Sequence, residues 1–287
     1  MPRAPRTHAP DPGAPTRTLA QLTHGWVLPF WLERQLDPAS PAWAPASPGG
    51  DIANQGHRER VVVGTLGSSH RPTVDPRGLV TPHPGGWSID WWIGADDRWH
   101  LPSREVAVRQ RLVDDAPVVE TSMRIPGGDA VCRTWVFRDA SGRGGGEVLA
   151  VEVENASRVP FALALALRPY GPDGAVAVHD IEVRGAEIHV DGRLAGWLPR
   201  PAARVAASHR AGGDVADVVL SGAAADGPDV DVRCPDGLAT AAVVLPVAHT
   251  ASVRVLVPLD HPEPAPRRRA RSAPPAPLAA PTAVPPA

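Results

Sequence analysis

The sequence predicts an all-β protein, one large two-sheet antiparallel sandwich. Three observations carry that reading. Apolar residues alternate with a period of two along most of the middle of the chain. Turn signals recur roughly every 10–15 residues, and helical periodicity is nearly absent.

Taken from the N-terminus, residues 1–18 are rich in Pro, Ala and Arg and carry no apolar period, so they are expected to be disordered. Residues 19–36 are the best helical candidate, but Pro29 interrupts them and allows at most a short helix or two turns. Strands follow wherever the alternation is plain. Val106, Val108, Gln110 and Leu112 form one set, and Val119, Thr121, Met123 and Ile125 the next. Val131, Arg133, Trp135 and Phe137 continue it, then Leu149, Val151 and Val153. Residues 161–167 place Phe161, Leu163, Leu165 and Leu167 on one face and Ala162, Ala164 and Ala166 on the other. A strand apolar on both faces belongs between two packed layers. Further strands are expected at 176–184, 186–190, 215–220, 240–245 and 251–257. Turn residues separate them: Pro126-Gly127-Gly128, Pro172-Asp173-Gly174, Asp191-Gly192 and Pro235-Asp236-Gly237. From His261 to Ala287 the chain is proline-, alanine- and arginine-rich, including the run RRRAR, and is expected to be a solvated, disordered tail. The foldable domain is therefore 19–260. No repeat of constant length appears, which disfavours a propeller or solenoid.

Composition narrows the function. The 287 residues hold 29 basic and 31 acidic groups, and every basic residue is arginine. This balance argues against a sequence-independent nucleic-acid binder, which needs a basic face. No apolar run approaches the ~20 residues of a membrane span, and the N-terminus does not read as a secretory signal, so a cytoplasmic protein is expected. Cys132 and Cys234 are too few for a disulfide framework or a four-ligand zinc site, and Cys132 reads as a core residue. No metal and no cofactor is implied.

The unusual segment is 84–100, PGGWSIDWWIGADDRWH, in a chain with nine Trp but one Tyr and three Phe. Indole faces stack on the C–H faces of sugar rings, and carboxylates accept hydrogen bonds from sugar hydroxyls. Trp92, Trp99, Asp90 and Asp97 are accordingly the candidate carbohydrate contacts. The competing reading is core: Trp87, Ile89, Trp91 and Ile93 share one strand face, with Asp90 and Trp92 on the other. Asp96 and Asp97 are adjacent, so on a strand they point apart and cannot form a glycosidase acid pair, and they read as turn residues beside Glu105. Gly64, Gly67, Ser68 and Ser69 read as a turn, since a phosphate-binding loop would need a lysine and a following helix. No Gly-x-Ser-x-Gly elbow exists, and no catalytic residue can be nominated.

Three stretches, VDPRGLVTP (74–82), 86–131 and VLAVEVENASRVPFALALALRPY (148–170), resemble bacterial proteins related to six-hairpin glycosidases, the glucoamylase-like and glycogen-debranching-like enzymes. The most telling piece is VEVEN followed by PFALALALRPY. In that family an N-terminal β-supersandwich precedes an (α/α)6 toroid that carries the catalytic glutamates. The resemblance implies the supersandwich fold over about 20–258, and no catalytic glutamate carries over to any position. The expectation is a non-catalytic module, a detached or truncated N-domain with a structural or weak carbohydrate-contact role. Its partners would be an (α/α)6 domain encoded downstream or separately, and an α-glucan or other oligosaccharide. The alternative is a self-sufficient carbohydrate-active enzyme or sugar binder using the segment 87–100. The module reading expects an exposed apolar docking face, the alternative a concave pocket with converging acids.

Overall fold

The computed structural model describes residues 25–43, 60–113, 116–139, 146–172 and 174–260. The expectations for 1–18 and 261–287, and the Asp173 position of one predicted turn, lie outside them. The described chain is all-β, as the alternation predicts, and nearly all of its strands lie in two nine-stranded antiparallel sheets. With strands numbered in chain order, the first sheet contains β1 (Val61–Val62), β2 (Thr73–Val74), β3 (Val80–Thr81), β4 (Ser88–Gly94), β5 (Trp99–His100), β10 (Phe161–Arg168), β16 (Arg204–Ser208), β17 (Ala225–Asp226) and β19 (Thr240–Val247). The second contains β6 (Val108–Leu112), β7 (Val119–Ile125), β8 (Gly128–Arg138), β9 (Glu147–Ser157), β13 (Asp180–Arg184), β14 (Glu187–Val190), β15 (Arg193–Trp197), β18 (Val230–Arg233) and β20 (Ser252–Pro258). A small hairpin of β11 (Tyr170–Gly171) and β12 (Gly174–Ala175) stands apart. Strand order is β1-β2-β3-β4-β10-β19-β16-β17 in the first sheet, with β5 on β4, and β18-β13-β14-β15-β20-β9-β8-β7-β6 in the second.

The hairpins form where the turn residues permit. Pro126 and Gly127 join β7 to β8, and Gly127 supplies φ of 80°. Asp191 and Gly192 join β14 to β15 with φ of 50° and 73°, the positive pair that a two-residue hairpin with native twist requires.

β10 lies between β4 and β19 at the centre of the first sheet. Its large residues Phe161, Leu163, Leu165 and Leu167 face the second sheet and join Leu149, Val151, Val153, Val253 and Val255 in one apolar core. Its alanines face outward, yet Ala164 and Ala166 are fully buried with Ala242, Trp92, Val215, Ala216 and Val219. Small residues are needed there because a helix lies on them.

That helix corrects one expectation. Residues 215–220 are not a strand but α2 (Val215–Leu220); the earlier helix α1 (Phe30–Leu36) starts directly after Pro29, as the proline dictates. VADVVL is β-branched and alternates weakly, so its local preference misleads. Asp214 caps it, accepting the Ala216 N–H at 3.1 Å, while Val215, Ala216 and Val219 form the buried stripe. Burial against the alanine face outweighs intrinsic propensity.

The helix is latched by a buried ion pair. Arg168 Nη2 donates to Asp214 Oδ2 at 2.8 Å and to the Val27 carbonyl at 2.6 Å, while the Val27 N–H donates to the same Asp214 oxygen at 2.7 Å. Burial alone would lower the Arg168 pKa, but Asp214, Tyr170 and Asp90 hold the guanidinium above its ordinary value. Cys132 is buried as expected, its thiol pushed up to about 12 by burial, which makes it inert. No described helix is long and apolar enough to cross a membrane.

Candidate functional site

The Trp/Asp segment lies on β4, the following turn and β5. Trp91 faces the inter-sheet core with Ile89 and Ile93, and its Nε1–H donates to the Arg77 carbonyl at 3.1 Å. The turn that offers this carbonyl needs Gly78: φ is 82°, and a Cβ there would come within 2.6 Å of the Trp91 nitrogen. Asp90 and Trp92 face the opposite way, as their parity requires, but that face is roofed by α2. Trp92 has 0% of its surface exposed and Asp90 5%, so neither presents a surface to a ligand. Burial raises the Asp90 pKa, with Arg168 pulling the other way.

Trp99 is half-buried, packed against the cluster that contains Trp92 and laid over Gly94, where a Cβ would meet the indole at 3.0 Å. Asp96 and Asp97 occupy the bend between β4 and β5. Asp97 is half-exposed and accepts from buried His100, whose Nε2 lies 2.9 Å away, a contact that holds the carboxyl below its usual range. The other imidazole nitrogen lies 3.2 Å from Glu105, which Arg98 binds with both nitrogens. Arg98 is the main reason the Glu105 pKa is lowered. Thus Asp97 and Trp99 sit at the turn, Asp90 and Trp92 lie under α2, and the four carbohydrate candidates do not converge on one cavity.

A polar cavity of about 530 Å3 opens elsewhere, where the β1–β2 loop meets the end of β8, the start of β9 and the end of β20. Glu147, the first residue of β9, is its centre. Its carboxylate accepts from the hydroxyls of Thr65 and Ser68 and lies 2.8 Å from His70 Nδ1. Its backbone N–H donates to Asp260 Oδ2 at 2.9 Å, and Asp260 Oδ1 is 3.6 Å from His70 Nε2. Gly146 makes this approach feasible, since any Cβ there would collide with the Asp260 carboxylate. Burial pushes the Glu147 pKa up, but the Ser68 and His70 contacts outweigh it and bring it below the ordinary value.

The geometry limits the chemistry. The Ser68 hydroxyl donates to a carboxylate, not to an imidazole, so it is not an activated nucleophile. His70 fills the space between Glu147 and Asp260, where a glycosidase pair would hold a sugar. The cluster's carboxylates take up hydroxyls, an imidazole and a backbone N–H of the chain itself and tie three chain segments together. Beside it runs an apolar groove lined by exposed Val62, fully exposed Leu66 and Pro117. Sequence reasoning placed Ser68 in a turn and saw no role for His70, Glu147 or Asp260. The only local signal was a histidine two residues from a serine. Among the described residues, no group of three or more His, Cys, Asp or Glu is placed to hold a metal ion.

No protein-family model matches the chain, and a search of curated proteins returned no match.

Proposed function

We propose that the chain is a non-catalytic β-sandwich module of a glycoside-hydrolase-like protein, with a structural and weak carbohydrate-contact role beside an (α/α)6 catalytic domain. The observation that carries this reading is the pair of nine-stranded antiparallel sheets, the architecture that the resemblance leads one to expect. The resembling stretches run through both sheets, from the β2–β3 and β6–β7 edges to the central β10: 74–82 spans the β2–β3 turn, 86–131 runs from before β4 into β8, and 148–170 covers most of β9, all of β10 and the start of β11. Two of the three deepest acids support a non-catalytic role, because Asp214 is paired with Arg168 and Asp90 lies sealed under α2. Exposed Val62 and Leu66 provide apolar surface of the kind a neighbouring domain covers.

The second reading is a self-sufficient sugar binder or enzyme, and the observation favouring it is the Glu147–His70–Asp260 cavity with its converging acids. Chromatography of the whole chain on immobilised α-glucan separates the two. The module reading expects retardation without release of reducing ends, unchanged in Glu147→Gln. Retardation lost in Glu147→Gln would move the sugar contact into the cavity and overturn the first reading.

A further inference from the structure

The outer face of the second sheet carries a row of side chains that the function so far leaves unused. Register places Trp197 on β15 opposite Leu256 on β20, Leu256 opposite Ala150 on β9, and Ala150 opposite Trp135 on β8. Directly opposed residues share a face. Leu149, Val151, Val255 and Val257 belong to the inter-sheet core, so this row points away from it. The bulge between β14 and β15 turns Trp197 outward while Gly196 faces Val255 and Val257. Both indoles and Leu256 are partly exposed, and Ala150 lies wholly buried beneath them. Three strand spacings separate the tryptophans, about 14–15 Å. Neither described helix covers this face: α2 packs on β16 and β19, and α1 puts Trp31 and Leu32 into the inter-sheet core.

Beside the row runs a ladder of paired charges. Arg254 donates to Glu152, and Arg111 and Arg133 both donate to Glu120, each at 2.8 Å; Arg133 also reaches Glu154. Three arginines thus meet three glutamates, and the Arg254 guanidinium lies over the Trp135 ring, 5.0 Å from its centre, covering part of that face.

We propose that this strip is a binding site for a neutral oligosaccharide, one sugar ring on the Trp197 indole and the next against the Trp135 indole and the Arg254 that partly covers it, with hydroxyls exchanged against the ladder. The inference rests on the carbohydrate-contact reading and gives that contact a place. Charge argues for the occupant: the ladder is balanced, so a charged partner gains nothing from it, whereas sugar hydroxyls use both its donors and its acceptors. Area argues against a second copy of the chain, because a row of four side chains falls well short of the roughly 800 Å2 per partner of a stable protein interface. Two part-exposed tryptophans with Leu256 between them supply rigid apolar surface with little side-chain entropy to lose.

The test is calorimetric titration of the full chain with maltoheptaose and with cellohexaose, repeated for Trp135→Ala, Trp197→Ala and the exposed Trp43→Ala. The expected result is binding of at least one sugar by the wild type, weakened tenfold or more in both strip variants and unchanged in Trp43→Ala. Thermal unfolding reports whether each variant is folded; Trp197 ends its strand, so its variant remains informative where Trp135→Ala unfolds. Trp197→Phe, which keeps an aromatic face, should restore part of the affinity. Sugar binding that survives both alanine variants overturns the strip and leaves the carbohydrate reading standing. Absence of binding by the wild type overturns both. Concentration-dependent dimers that vanish in Trp197→Ala would assign the face to a second copy and overturn the proposal.

Discussion

Asp75 offers a quantitative test of how the sandwich is held. It opens the turn between β2 and β3 and is 2% exposed. Its Oδ1 accepts the N–H groups of Arg77 and Leu79 at 2.8 and 2.9 Å, while Oδ2 is buried with no hydrogen-bond partner. Burial pushes its pKa from 3.8 to about 7, with the two backbone contacts pulling the other way. Between those values the folded chain holds a proton that the unfolded chain has released, so stability falls as pH rises from about 4 to 7 and levels off on either side. At about 1.4 kcal/mol per pH unit of displacement, the ionised carboxylate costs on the order of 4 kcal/mol. Asn keeps the Oδ1 acceptor and cannot ionise. Asp75→Asn should therefore match the wild type near pH 4 and exceed it by about 2–4 kcal/mol at pH 8. Urea unfolding followed by circular dichroism from pH 4 to 8.5 measures the difference, and every other titrating group is common to both chains. A variant less stable than wild type at pH 8, with the same pH slope, would refute the reasoning: Asp75 would then be ionised and stabilising.

Two further substitutions probe the layers. Leu165→Ala should cost about 2–5 kcal/mol in urea unfolding, through lost transfer energy plus a cavity in the inter-sheet core, and a cost below about 0.5 kcal/mol would place Leu165 outside that core. Asp214→Ala removes the cap of α2 and strands the Arg168 charge, so about 3–5 kcal/mol should be lost. The double variant Arg168→Met/Asp214→Leu should recover most of it, and equal instability of single and double variants would contradict the buried pair.

The strands were legible because one side of each packs on a layer, and a half-buried strand shows its period of two directly. The alternation of 161–167 announced both faces of β10, including the small residues that a covering element needs. What covered them was not legible. Residues 215–220 read as a strand by their valines, so the roof over Ala164, Ala166 and Trp92 was missed, and Asp90 and Trp92 remained candidates for an open surface. Their parity was right; only a tertiary contact decides whether a face is wet. The Glu147 cavity was hidden for a different reason. Its histidine lies 77 residues from the glutamate, and its aspartate a further 113 along, so no local spacing joins them. The row from Trp197 to Trp135 depends likewise on register across four strands, with a bulge that reverses the parity of β15.

The central claim, a sandwich that contacts carbohydrate without cleaving it, is tested most directly by product analysis after long incubation of maltoheptaose with a stoichiometric amount of the purified chain. A retaining or inverting hydrolase needs two carboxyl groups about 5–10 Å apart across the scissile bond. The cavity where Glu147 and Asp260 converge has His70 in that gap. The account predicts maltoheptaose recovered intact, by the wild type and by Glu147→Gln, Asp260→Asn and Asp97→Asn alike. Shortened maltooligosaccharides from the wild type that disappear in any one of those variants would contradict it.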